Sequence, residues 1–285
     1  LKSPSSLKLS GTLGVSDFTT LRNIQSLEHL DISRVNLSVL PTEAFLECTN
    51  IKSVILPNTL TAIGTQAFWG SSLVSISIPA SVEEIRGSAF FGCSSLKTVT
   101  FEKGSKLKTV AGFSHCTSLT TIEIPASVET IGQYAFNDCT SLHTVTFEKG
   151  SKLKTIGSDV FLNCTSLTMI EIPASVETIE DQAFEGCSLL ATVTFEKGSQ
   201  LKTVDGFSNC TALTTVDMSA CTQVTRIEYR AFYEDSKLQL FKIGTRTPPS
   251  CGRNVFTGIN SYSVLKVPAG CVDAYKKAYY WKEFT

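Results

Sequence analysis

Apolar residues recur along the chain in a fixed order that repeats about every 23 residues. Each unit reads L-x-x-I-x-I, then a turn, then V-x-x-I and A-F-x-x-C, as residues 119–139 illustrate. Such repetition is typical of a stack in which each turn buries its apolar side against the next. We therefore predict a solenoid of ten turns whose equivalent residues form columns, the clearest being Phe45, Phe68, Phe90, Phe113, Phe136, Phe161, Phe184, Phe207, Phe232 and Phe256.

The L-x-x-I-x-I segment predicts a short β-strand. In one unit, Ile122 and Ile124 alternate with Thr121 and Glu123, and this period of two puts the isoleucines on one buried face. Successive copies are expected to lie side by side in the same direction, about 4.8 Å apart, so that ten turns extend roughly 45 to 50 Å. We predict one strand per turn.

Two kinds of turn alternate along the stack. One contains I-P-A-S-V, as at 124–128, and the other contains the longer F-E-K-G-S-K-L, as at 101–107. Two copies recover the extra length with a shorter turn before the phenylalanine, V-A-G-F at 110–113 and V-D-G-F at 204–207. A third copy keeps the long form at 156–161. Close copying of the double unit indicates a recent duplication.

The combined motif A-F-x-x-C-x-S-L-x-x-I-x-I-P-x-S-V-x-x-I-G resembles the BspA-like, Treponema-type bacterial leucine-rich repeat. The resemblance extends over residues 27–250, and 267–284 resembles the closing segment common in that family. It implies an α+β solenoid, a right-handed leucine-rich-repeat superhelix with a parallel β-sheet on the concave face and short helical or irregular turns on the convex face. The departures are Ser71 and Asp235 in place of cysteine, and an irregular turn at 218–224.

A solenoid needs a cap at each end, because its last turns would leave the core open to water. At the start, Asp17 is expected to cap a short helix that carries Phe18 and Leu21 on one face, before the first strand at 27–32. We thus predict a single domain over 1–285, with an N-terminal cap at 1–26, repeats at 27–250, and the last turn and C-terminal cap helix at 251–285.

The predicted C-terminal helix is rich in aromatic residues. Val272, Tyr275 and Tyr279 are spaced to share one face, and Trp281 and Phe284 follow. We expect a hydrophobic plug. The alternative is an aromatic docking patch, in which case these rings would be exposed.

Seven of the ten cysteines occupy one position of the repeat, so we predict a column of inward-facing thiols: Cys48, Cys93, Cys116, Cys139, Cys164, Cys187 and Cys210. Neighbours about 4.8 Å apart on parallel bonds suit a disulfide poorly, because it needs Cβ atoms about 3.8 Å apart. A line of thiols also fails to supply the converging ligands of zinc. Cys221, Cys251 and Cys271 lie outside the column, and a bridge between the last two stays open.

The outward strand positions form the candidate ligand-binding site. They make a shallow polar trough about 48 Å by 13 Å, roughly 600 Å² in plan, which is comparable to one partner's share of a standard interface. Stacked threonines also suit an exposed sheet without any ligand. The candidate residues are Thr98, Thr100, Thr121, Glu123, Thr144, Thr146, Met169, Glu171, Thr192, Thr194, Thr215 and Asp217.

The trough carboxylates do not predict catalysis. Glu123, Glu171 and Asp217 are spaced two turns apart, about 9.6 Å, at or beyond the separation of paired glycosidase carboxyls. No histidine accompanies them, and the chain has no phosphate-binding glycine loop or H-E-x-x-H. We expect no enzyme, no cofactor and no metal.

Charge excludes several classes of partner. Lys plus Arg total 25 against 26 Asp plus Glu, a net charge of −1, so nucleic acid is disfavoured, and no apolar run suffices for a membrane span.

A lysine edge recurs with the long loop beside Glu102, Glu148 and Glu196, and we expect a solvated edge in preference to an anionic-glycan site. Its lysines are Lys103, Lys106, Lys108, Lys149, Lys152, Lys154, Lys197 and Lys202.

Function follows mainly from the resemblance, which implies an exported protein that adheres to host proteins or neighbouring cells. We expect a secreted or cell-surface monomer that binds a host or neighbouring-cell surface or extracellular protein, with a glycan as the other ligand. The chain opens at Leu1 without methionine, so an export signal is expected to have been removed. The alternatives are a carbohydrate-binding or carbohydrate-processing protein using the acidic trough, and a spacer that presents another domain.

Overall fold

The computed structural model describes residues 4–284, which wind into a stack of parallel strands. In chain order the strands are β1 (Ser6–Gly11), β2 (His29–Val35), β3 (Val39–Leu40), β4 (Ser53–Ile55), β5 (Ala62–Ile63), β6 (Ser75–Ile78), β7 (Glu84–Ile85), β8 (Thr98–Phe101), β9 (Thr109–Val110), β10 (Thr121–Ile124), β11 (Thr130–Ile131), β12 (Thr144–Phe147), β13 (Thr155–Ile156), β14 (Met169–Ile172), β15 (Thr178–Ile179), β16 (Thr192–Phe195), β17 (Thr203–Val204), β18 (Thr215–Met218), β19 (Arg226–Ile227), β20 (Leu240–Ile243), β21 (Ser250–Cys251) and β22 (Val264–Lys266).

The longer strands form the predicted parallel ladder, in the order β1-β2-β4-β6-β8-β10-β12 and then β14-β16-β18-β20-β22. Pairing is in register: Thr121 lies opposite Thr144, and Glu123 lies opposite Thr146. Along β10, exposed and buried residues alternate as the period of two predicts. The ladder is interrupted between β12 and β14. The segment that connects these two strands contains both the long F-E-K-G-S-K-L loop and the long form of the turn before the phenylalanine.

A second ladder corrects the expectation of one strand per turn. The V-x-x-I part of each unit ends in a two-residue strand, and these strands pair as β3-β5-β7 and as β9-β11-β13-β15-β17-β19-β21. For example, Ile131 lies opposite Val110 on one side and Ile156 on the other. Two residues are too few to show alternation, which is why the sequence pattern gave no sign of them.

The phenylalanine column confirms the predicted stacking. From Phe45 to Phe256 the ring centroids of successive members are 4.7 to 5.9 Å apart, and the ring planes lie within 21° of parallel. All ten rings are at most 1 % exposed. The column therefore forms the centre of a core that runs the whole length of the stack.

The N-terminal cap differs from the prediction in two ways. Strand β1 precedes the helix and adds to the sheet beside β2, and the helix α1 (Val15–Arg22) begins after Gly14. Asp17 is thus the third residue of the helix and not its N-cap residue, which is Gly14. Its carboxylate accepts a hydrogen bond from the backbone N–H of Gly14 at 2.7 Å. Phe18 is buried as expected and meets Phe45 edge-on, with centroids 5.6 Å apart.

The C-terminal cap is a plug, but two of its predicted residues are exposed. Helix α2 (Val272–Lys277) ends at an extended Ala278, and the 3-10 helix η1 (Trp281–Glu283) follows. Tyr275 and Trp281 are each 2 % exposed, whereas Val272 and Tyr279 are 50 % and 70 % exposed. Tyr279 leaves the predicted face because the helix ends before it. Within residues 4–284 the helices are α1, α2 and η1, so the turns between the ladders are irregular and not helical.

Candidate functional site

We name as the threonine face the twelve candidate residues predicted for ligand binding. The structure places all of them on the outward side of the long-strand ladder, in two blocks separated by the division between β12 and β14. The first eight, from Thr98 to Glu171, are exposed, and the last four are half-buried. Met169 is 59 % exposed and is the apolar member of the set. The face is therefore polar, and within each block its strands pair in register.

Asp217 is held by interactions within the protein. Its carboxylate accepts hydrogen bonds from Lys242 Nζ at 2.6 Å and from Ser219 Oγ at 2.6 Å. Burial opposes its ionisation, but the hydrogen bonds from Lys242 and Ser219 outweigh this effect and hold the pKa of Asp217 below its usual value. Asp31 has the same arrangement with Ser33 and with a lysine on the neighbouring strand. The repeated D-x-S pattern was the sequence signal for it.

A depression of about 170 Å³ lies at the edge of the threonine face between β8 and β12. It brings together the predicted Thr100 and Glu123 with two carboxylates that were not predicted there, Glu102 and Glu148. Glu123 and Glu171 lie in separate blocks of the ladder, so the three trough carboxylates do not share one site.

The glutamates of the long loops have a structural role that the sequence did not predict. Each accepts a backbone N–H from the I-P-A-S-V turn before it or its equivalent: Glu102 from Ala80 at 3.3 Å, Glu148 from Ala126 at 2.8 Å, and Glu196 from Ala174 at 2.9 Å. The second turn type is thus bonded to the first in each double unit.

The lysine edge is partly neutralised by other glutamates. Lys108 pairs with Glu129 at 2.6 Å, while Lys154 and Lys202 both pair with Glu177, at 3.0 and 2.6 Å. Hydrogen bonds from these lysines hold the pKa of both glutamates below its usual value. This arrangement fits the expected solvated edge.

The cysteine column is present as predicted, and its seven members are free and buried. From Cys93 onward each thiol donates to the carbonyl oxygen of the phenylalanine one turn earlier, as Cys139 does to Phe113 at 3.2 Å. Burial raises the pKa of Cys139 to about 12. Cys271 is also a free thiol, so the bridge to Cys251 is not formed. Among residues 4–284 no group of side chains could hold a metal ion.

Comparison with known proteins agrees with this geometry. The family model described as BspA type Leucine rich repeat region matches residues 17–112, 105–239 and 205–284. The chain belongs to the BspA-type leucine-rich repeat family. A comparison with curated protein sequences finds no significant match.

Solved structures show the same fold. A leucine-rich repeat protein from Bacteroides ovatus ATCC 8483 has 22 % identity over 91 % of this chain and 84 % of its own, with a TM-score of 0.58. The leucine-rich repeat protein of T. pallidum has 24 % identity over 72 % of this chain and 82 % of its own, with a TM-score of 0.51. Within residues 4–284, no helix has the length and apolar character needed to cross a bilayer.

Proposed function

We propose that this protein is a non-catalytic interaction scaffold, secreted or held at a cell surface, that binds a protein through the threonine face. The observation that carries the proposal is the face itself: exposed side chains stand in register over neighbouring strands, as Thr121 does opposite Thr98 and Thr144. Short β-branched residues on a rigid ladder lose little conformational freedom when a partner covers them. The family is typical of surface proteins that bind other proteins.

The shape of the face favours a macromolecule over a small ligand. Small-molecule sites usually enclose about 300 to 1,000 Å³, whereas the depression beside Glu123 holds about 170 Å³. Asp217 is already bonded to Lys242, which leaves fewer carboxylates available to a substrate. We propose that the protein acts as a monomer whose face accepts one partner.

The proposal is tested by surface plasmon resonance of the whole chain against fibronectin, fibrinogen, laminin and collagen. Thr121→Arg puts a long charged side chain at the middle of the threonine face and should weaken binding at least about tenfold. Thr109→Arg is the matched control, since Thr109 is an exposed threonine of the two-residue strand β9, and it should change binding by less than about twofold. Binding that withstands Thr121→Arg, or that no tested protein shows, would contradict the proposal.

The carbohydrate alternative predicts a different result. Incubation of the whole chain with polysaccharides would then release sugar, and Glu171→Gln would abolish the release. We expect no release. Sugar release that depends on Glu171 would show that the protein is an enzyme and not a non-catalytic scaffold.

A further inference from the structure

The turn at 110–113 is shorter than its neighbours and leaves a notch in the surface of the stack. It has four residues, V-A-G-F, whereas the equivalent segments at 85–90 and 131–136 have six. The space above it, which we name the aromatic notch, has a volume of about 420 Å³. Small-molecule sites usually enclose about 300 to 1,000 Å³, so the notch is large enough for a small ligand.

Gly112 makes the short turn possible. Its φ is +90°, and a Cβ there would lie 3.1 Å from the backbone nitrogen of Ala89. In the longer turns on either side, the left-handed conformation falls instead on Ser88 and Tyr134, two residues before the phenylalanine. The short turn therefore packs close to the turn before it, and Ala111 and Gly112 line the notch between the longer turns.

Aromatic rings line the notch from the turn before and from the turn after. Phe91, in the turn before, belongs to a short column of rings: its centroid is 4.1 Å from that of Trp69 and 4.9 Å from that of His115. Tyr134, in the turn after, is 48 % exposed. Phe91 occupies a position where another turn has the exposed Thr257, so the repeat itself does not require a ring there.

The rest of the lining is polar. It includes the hydroxyl groups of Ser88 and Ser114 and the amide groups of Gln133 and Asn137. Ser114 Oγ donates to Asn137 Oδ1 at 3.1 Å. Among the described residues that line the notch there is no aspartate, glutamate, lysine or arginine. Since hydroxyls and amides both donate and accept hydrogen bonds, this lining suits a neutral ligand that does the same.

The second short turn shows that this lining is not a consequence of the backbone alone. Its Gly206 has a similar φ of +85°. The depression beside it holds only about 160 Å³ and is lined by acidic residues, Asp205 among them. There the Arg230 guanidinium covers the Tyr233 ring, 4.7 Å from its centroid. The two short turns thus share a conformation and differ in the size and charge of the space above them.

We propose that the aromatic notch binds a neutral pyranose ring of a glycan. A pyranose has a face of C–H groups that packs on an aromatic ring, and its hydroxyls need both donors and acceptors. Phe91 and Tyr134 offer the rings, and Ser88 and Gln133 offer polar partners. A phosphorylated ligand would find neither the lysine nor the arginine that usually binds its charge. No lining residue belongs to the threonine face, so this site is independent of the protein-binding site proposed there.

The test is a nuclear magnetic resonance titration of the whole ¹⁵N-labelled chain with the methyl glycosides of glucose, mannose, galactose and N-acetylglucosamine. Each carries the ring and the linkage oxygen of a glycan unit. The amides of Gly87 and Gly112, which line the notch, should shift and saturate with at least one glycoside, at a Kd of about 1 to 10 mM. Thr121→Arg should leave this binding unchanged, which keeps the result separate from that for the threonine face.

Variants test the two features that define the site, its ring and its open space. Tyr134→Ala removes an exposed ring and should weaken binding at least about fivefold, whereas Tyr134→Phe keeps the ring and should bind within about twofold of the native chain. Ala111→Leu adds a branched alkyl group where the sugar would lie and should weaken binding at least about tenfold.

Tyr262→Ala is the matched control, because Tyr262 is 87 % exposed and lies outside the notch. It should have no effect on binding. In every variant, signals far from the substituted residue must coincide with those of the native chain, which shows that the variant is folded.

Several results would overturn the proposal: no saturable shift with any of the four glycosides, shifts confined to residues outside the notch, or unchanged affinity in both Tyr134→Ala and Ala111→Leu. Two further probes test other occupants of an aromatic cavity. Tetramethylammonium represents a cation held on the rings, and N-acetyltyrosinamide represents an aromatic side chain of a protein. If either binds the notch more tightly than every glycoside, the proposed class of ligand is wrong.

Discussion

At the scale of single residues, the most unusual position is Asp235, which stands where the repeat places cysteine. The residue is completely buried, and one carboxyl oxygen accepts the backbone N–H of Cys210 at 2.8 Å. Its other oxygen has no hydrogen-bond partner within residues 4–284. Burial raises the pKa of Asp235 well above its usual value. The chain thus carries a costly group at a position where its neighbours carry a small apolar thiol.

We predict that Asp235→Cys stabilises the protein by about 1 to 3 kcal/mol at pH 7. The Cys210 N–H can then bond to the phenylalanine carbonyl three residues earlier, as the Cys187 N–H does to Phe184 at 3.2 Å. Because folding raises the pKa of Asp235, its cost appears above the ordinary pKa of 3.8, so the gain should be larger at pH 8 than at pH 4. Urea unfolding at both pH values measures it. A variant less stable than the native chain at pH 8 would contradict this account.

At the scale of elements, the unit of construction is a pair of turns. The long loop of one turn supplies a glutamate to the I-P-A-S-V turn before it, as Glu148 does to Ala126. In the same turn Ser127 Oγ donates to the carbonyl of Leu107 at 2.8 Å. These bonds connect adjacent turns outside the strand ladders. They give a physical reason for the alternation of two turn types.

We predict that Glu148→Ala lowers the free energy of unfolding by about 1 kcal/mol, because it removes the acceptor of the Ala126 N–H. Glu123→Ala is the matched control: Glu123 is an exposed glutamate of the same double unit, and it has no hydrogen bond to any residue in 4–284. The control should change stability by less than about 0.5 kcal/mol. Equal effects in urea unfolding would show that the Glu148 bond contributes nothing specific.

Particular elements show which parts of the fold could be predicted from the sequence. The column through Phe136 was predictable because every unit repeats it, and the strand at Ile122 was predictable because four residues suffice to show alternation. Strand β1 has no phenylalanine and is a single copy, so no repeat revealed it. The bond from the Ala126 N–H to Glu148 joins two residues about one turn apart along the chain, so no local pattern showed it.

At the scale of the whole molecule, the stack has two ends and contacts mainly between neighbouring turns. The rings of the phenylalanine column contact one another in sequence, and the last member, Phe256, is covered by Trp281 at a centroid distance of 5.2 Å. Trp281 also donates from Nε1 to the carbonyl of Pro249 at 3.0 Å. Stability in such a stack is a sum over turns and their interfaces. Loss of a cap should therefore act locally.

We predict that Trp281→Ala opens the stack from its C-terminal end. Truncating a buried tryptophan costs about 3 to 5 kcal/mol, and the loss falls on the turns it covers. Amide hydrogen exchange should speed up in β20 and β22 and stay unchanged in β2 and β4. Tyr279→Ala removes an exposed ring nearby and is the control. A uniform loss of protection over both ends would mean that the stack unfolds as one unit.

The buried thiol column has a chemical consequence. Oxidants and alkylating agents react with thiolates, and burial suppresses ionisation of side chains such as Cys139. We therefore expect such reagents to reach Cys139 only where neighbouring turns have separated. A thiol of this kind should stay reduced in the packed protein even without a reducing medium.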